Sequence, residues 1–128
     1  MNLATTTPTS TPTDTPSPTY SDSDLSAADR GFVDTQGGTG WGNRCWGHIQ
    51  QKDFAAARAA CVRGLAMNPR VPYPRAYLLY DMGLIEIHDG HPDLARPYLR
   101  QSLAVRPSSD IEGARLVRQA LASAGPER

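Results

Sequence analysis

The sequence predicts an all-α fold: two tandem helix hairpins closed by a fifth helix, with an unstructured arm in front of them. Three observations carry this reading. Residues 1 to 37 are dominated by Thr, Pro, Ser and Asp and hold neither a helical nor a strand period. From Trp41 onward, apolar residues recur at three- and four-residue spacing. The chain also repeats itself: Pro69 and Pro107 each end a helical stretch, and superposing them registers two helix pairs at an offset of 38 residues.

The arm, residues 1 to 37, cannot bury enough apolar surface to offset its ordering entropy, so it reads as disordered. "GGTGWG", residues 37 to 42, reads as a hinge into a helical domain spanning 38 to 128. Net charge is zero, but its distribution is uneven. Residues 1 to 40 carry five Asp against Arg30, and residues 41 to 128 carry twelve Lys and Arg against eight Asp and Glu. The basic residues of the second part are scattered along helices, which does not describe a nucleic-acid surface. No stretch approaches the length of a membrane span, and the N-terminus lacks the basic, apolar, small-residue order of a signal peptide.

The helices follow in order. "GWGNRCWGHIQQ" and "DFAAARAACVRGLAM" meet at Lys52-Asp53 and stop at Asn68-Pro69. "VPYP", residues 71 to 74, reads as a loop between the pairs. "AYLLYDMGLIEIHDG" and "HPDLARPYLRQSLAV" then meet at Asp89-Gly90 and stop at Arg106-Pro107. In the repeat alignment Trp41 falls on Leu79, Cys45 on Gly83, Ala57 on Ala95, Cys61 on Leu99 and Leu65 on Leu103. Asp110 can cap the last helix, "IEGARLVRQALASA", which puts Ala114, Val117, Leu121 and Ala124 on one face and Glu112, Arg115, Arg118 and Gln119 on the other. One polar face is what an open stack needs at its end.

These residues resemble the tetratricopeptide repeat. That motif runs from a large residue through small residues to a closing proline. Trp41, Cys45, Ala57, Cys61, Gly64 and Pro69 fill its places in the first copy, and Leu79, Gly83, Ala95, Leu99, Ser102 and Pro107 fill them in the second. The resemblance covers roughly residues 38 to 124 and implies a short right-handed solenoid. It departs from the motif where Arg44 takes a usually leucine place, where Pro97 falls inside a helix, and in the longer loop between the copies.

Cys45 and Cys61 lie mid-helix at similar heights from the Lys52-Asp53 turn, so both face into the first hairpin. Two readings stay open: a pair of small core residues, or a disulfide bolting the hairpin. Free thiols would suit the cytoplasm, and a bond would suit an oxidising, extracytoplasmic compartment. His48 sits near Cys45, but no fourth ligand follows at helical spacing, so no metal is expected. "HDGH", residues 88 to 91, reads as a turn. "GGTGWG" lacks the Lys-Ser/Thr ending and preceding strand of a phosphate loop. A two-repeat stack offers no deep cleft for a cysteine nucleophile, so neither enzymatic activity nor a cofactor is expected.

Binding is what the resemblance implies. In that family the first helix of each repeat lines a groove for a peptide or partner helix. Carried over, the groove residues are Asn43, Trp46 and Gln50; Tyr77, Tyr80, Asp81, Leu84 and His88; and Arg115 and Arg118. One subclass clamps a C-terminal carboxylate; Arg115 matches its arginine, but Trp46, Asp81, Gly42 and Ile111 replace its asparagines and lysines, so that mode is not expected. Two functions are therefore carried: an adaptor that binds a protein or peptide partner, and a disulfide-stapled component of the cell envelope with the arm as stalk. Pairing of two chains through the first hairpin is a further expectation, because that hairpin lacks an N-terminal cap and would leave Trp41 and Trp46 open.

Overall fold

The computed structural model describes residues 24–69 and 72–125. Those residues are all-helical: α1 (Ala27–Arg30), α2 (Thr39–Gln50), α3 (Phe54–Ala66), α4 (Pro72–His88), α5 (Pro92–Val105) and α6 (Ile111–Ala124). Local chemistry sets the ends. Asp53 accepts a hydrogen bond from Ala56 N, and Asp110 accepts one from Gly113 N, so each carboxylate holds a first-turn N–H that has no partner inside its helix. Asn68 closes the first hairpin in the left-handed region, φ 54°, and Gly90 turns the second at φ 82°. Pro97 is carried inside α5. The "VPYP" loop is corrected: α4 already begins at Pro72, because a proline in the first turn gives up an N–H that would have had no acceptor there.

Helix α2 packs on α3 and α4 on α5, α3 and α5 each pack on the helix that follows, and α2, α4 and α6 touch in succession. The main core gathers Trp41, Cys45, Cys61, Leu78, Met82, Ile85 and Tyr98, and a second cluster of Ala95, Leu99, Val117 and Ala120 seats α6. Two pairs of positions 38 residues apart make close contacts. The Cys45 and Cys61 sulfurs lie at bonding distance, 2.19 Å, across the first hairpin. At the matching place in the second, a Cβ on Gly83 would come within 2.5 Å of Leu99. Likewise a Cβ on Gly38 would approach the Gly64 carbonyl, and in the second copy the Ser102 hydroxyl donates to the Ala76 carbonyl at 2.7 Å.

The boundary of the packed part differs from the expected one. Residues 1–23 of the expected arm lie outside the described residues, but 24–37 belong to the fold. Leu25 and Asp29 are buried, and Asp29 accepts from Arg44 at 2.6 Å and pairs with His48 Nε2 at 2.7 Å. Burial pushes the Asp29 carboxyl up, but the hydrogen bonds from His48 and Arg44 outweigh it and leave it below the usual carboxylate range. Asp34 accepts from Trp41 N, which replaces the side-chain cap that Gly38 cannot offer. Phe32 meets the Trp41 ring edge-on at 4.9 Å, with the Arg44 guanidinium on its own face. Trp41 is thus only 5% exposed, whereas Trp46, the other ring expected to be open, is 42% exposed. Through Asp29, Arg44 ties α1 to α2.

Candidate functional site

The first helices of the hairpins and the closing helix bound one concave cavity of about 550 Å³. Thr39, Gly42, Asn43 and Trp46 of α2 form one side, Tyr73, Pro74, Tyr77, Tyr80 and Asp81 of α4 form the other, and Leu116 of α6 completes it. Helical spacing explains the convergence, since residues 73, 77, 80 and 81 recur every three or four positions along one stripe of α4. Trp46, Tyr73 and Tyr77 are 42–49% exposed, unusual for rings of this size. Together with Leu116 they bring into this one hollow four of the eight exposed large apolar side chains among the described residues. Scattered apolar residues need no explanation, but a concave cluster marks a binding surface.

Asp81 is the exception to this apolar lining. It is 3% exposed, and no hydrogen bond among the described residues reaches its carboxyl. Burial pushes its pKa up to about 8, while the Arg106 charge pulls weakly the other way. Arg106 does not satisfy it, because its terminal nitrogens donate to Asp110 at 2.8 Å and to the Ser102 hydroxyl at 3.3 Å. Burial, together with the Asp81 charge, also raises the neighbouring Tyr80 hydroxyl. Beside the carboxyl lies the cysteine pair, with the Cys45 and Cys61 sulfurs and an Asp81 oxygen all within 4.8 Å of one another. With the sulfurs at bonding distance, neither is a thiolate ligand for a metal ion.

No family model, curated protein or solved structure matches this chain. The site is therefore read from its own geometry. Of the ten residues expected in a groove, Asn43, Trp46, Tyr77, Tyr80 and Asp81 line the cavity, and Gln50, Leu84, His88, Arg115 and Arg118 do not. Leu84 packs against the second core cluster. His88 stacks on Phe54 at 3.6 Å and pairs with Asp89, which places it at the hairpin turns. Arg115 is held by Glu112 on the outer face of α6. His48, weighed as a partner of Cys45, is taken by Asp29.

Sequence reasoning missed Tyr73 and Pro74, having assigned them to a loop, Thr39 and Gly42, having assigned them to a hinge where α2 in fact begins, and Leu116. The signal for the first two was Pro72: read as a helix start, it carries the α4 stripe back to Tyr73. A second polar cluster, at the hairpin turns, has a structural task. Arg58 forks onto Glu86 at 2.6 and 3.2 Å and reaches Asp89 at 2.7 Å, joining α3 to the end of α4. Among the described residues no helix is long and apolar enough to cross a membrane.

Proposed function

We propose that this chain is a non-enzymatic interaction module of tetratricopeptide-like build, a short right-handed stack that binds a peptide segment of a partner protein between α2, α4 and α6. The observation that carries the reading is the convergence of Trp46, Tyr73, Tyr77, Tyr80 and Leu116 on one cavity. Large rings with few rotatable bonds are the side chains that supply most of the energy of peptide recognition. The order of helix contacts supports the solenoid part, since α3 and α5 each pack on the helix that follows while α2, α4 and α6 touch in succession.

The test is selection of binders from a degenerate peptide library, with chemical-shift mapping of the bound site. Trp46→Ala and Tyr80→Ala should each weaken the selected peptides by about 10-fold or more with the fold intact, and Arg115→Ala should not. Shifts confined to the outward faces of α3 and α5 would refute the reading.

The second reading, a stapled structural component of the cell envelope, is favoured by the Cys45–Cys61 pair at bonding distance. Titration of free thiols in unreduced protein from its native host separates the two: two reactive thiols on denaturation exclude the stapled component.

A further inference from the structure

The Asp81 carboxyl is an anomaly in physical terms. A carboxylate without a hydrogen-bond donor or a paired cation is among the most costly groups to bury, and a core needs none at this position. Gly42 and Leu116 share the cavity lining with it, so small and apolar residues fit locally. Features that break the local rules of folding without local compensation tend to belong to a site. Asp81 does not face closed core on all sides: it is part of the lining of the aromatic cavity.

We infer that the cavity receives the side-chain ammonium of a lysine from the partner peptide, with Asp81 as its counter-ion and the rings of Trp46, Tyr77 and Tyr80 as its walls. The inference rests on the peptide-binding reading and names the side chain that the peptide must supply. Three features of the site select this chemistry. The carboxyl, to which no group of the described residues donates, calls for a positive group that would hold it as the anion. The aromatic walls attract a cation through their ring faces and pack against its methylene stem. A single carboxylate among aromatic walls favours an ammonium, a compact point charge, over a guanidinium whose planar fork of five N–H groups pairs best with acceptors placed in its own plane.

Among the described residues no cation occupies this role. Arg106 is the positive group whose charge acts on Asp81, and Asp110 holds it. Its guanidinium lies over Tyr77, 5.1 Å from the ring centre, so one face of that ring is already used by a cation. The Thr/Pro-rich segment cannot supply the ligand from within, since residues 1–23 contain no lysine, arginine or histidine. Lys52, the single lysine of the chain, is at the α2–α3 turn, apart from the cavity lining. The cation comes from another molecule.

The experiment uses two pools of degenerate hexapeptides, one with lysine and one with norleucine at a fixed central position, titrated into the full chain and followed at the indole of Trp46 and the amides of α4. The lysine pool should bind about 10- to 100-fold tighter than the norleucine pool. Asp81→Asn, which keeps the shape and removes the charge, should abolish that difference. If the two pools bind the cavity equally, the counter-ion role falls while the peptide groove stands. If neither pool shifts the cavity residues, both the groove and the lysine site are refuted. If the lysine preference persists unchanged in Asp81→Asn, the cation is held elsewhere and the assignment to Asp81 is wrong.

Discussion

Replacing Asp81 by asparagine should make the protein more stable, increasingly so as the pH rises. The carboxyl titrates near 3.8 in the unfolded chain and near 8 in the fold, so between those values the folded state binds one more proton than the unfolded state. Stability therefore falls with rising pH across that window, at about 1.4 kcal/mol per pH unit, and flattens above it. From pH 5 to pH 7 the loss is about 3 kcal/mol, a large fraction of what a domain this small can hold. Asparagine has no such titration and nearly the same volume. The assay is urea unfolding of both proteins at pH 5, 6, 7 and 8, read by circular dichroism, with the difference between the two as the quantity of interest. Asp29 and Asp89, both held below the usual carboxylate range, lose their contribution only as the pH falls below about 4, and they are common to both proteins. The difference should widen steadily from pH 5 to 7. Parallel stabilities over that range would refute the argument, and so would a carboxyl ¹³C titration of Asp81 at the ordinary value.

Three further outcomes follow from the packing. Changing Cys45 and Cys61 to alanine should cost about 3 kcal/mol in the chain-entropy account of a closed loop with a 16-residue separation, measured by chemical unfolding against the unreduced parent. Gly83→Ala, ordinarily favourable in a helix by up to about 1 kcal/mol, should destabilise by about 1–3 kcal/mol because the new methyl meets Leu99 at 2.5 Å, and a gain in melting temperature would contradict the packing. Deleting residues 1–23 should leave thermal stability within about 0.5 kcal/mol, whereas deleting 1–37 should cost about 3 kcal/mol and red-shift tryptophan emission as Trp41 loses Phe32 and Leu25.

Helix positions were largely legible in the sequence because the apolar period, the Asp53 and Asp110 caps and the stops at Asn68 and Gly90 all agree. The hairpin contacts were legible through the repeat: aligning Cys45 with Gly83 and Cys61 with Leu99 places a bonded pair and a close contact at the same height. Residues 24–37 were not legible as part of the fold. Their four-residue helix is too short to show a period, and it is held by long-range pairs such as Asp29 with Arg44 and Asp34 with the Trp41 amide, which composition does not reveal. Half of the expected groove residues lie outside the cavity for a similar reason. The motif assigns a residue to a helix, but the rotation of α4 decides that Tyr77 and Tyr80 reach the cavity lining, Tyr80 with one side on the second core cluster, while Leu84 meets that cluster outside the lining and His88 lies on Phe54. The missing carboxyl partner of Asp81 could emerge only in three dimensions.

The covalent link across the first hairpin divides the molecule into halves with different memories of the native state. When α4 separates from α5, Gly83 and Leu99 part completely, and the chain between them regains its full freedom. When α2 separates from α3, the two strands of chain are still tethered at Cys45 and Cys61, 16 residues apart, and re-closing is a short search. Amide exchange should consequently begin in the second hairpin and α6, leaving the α2 wall of the cavity standing after the α4 wall has begun to open.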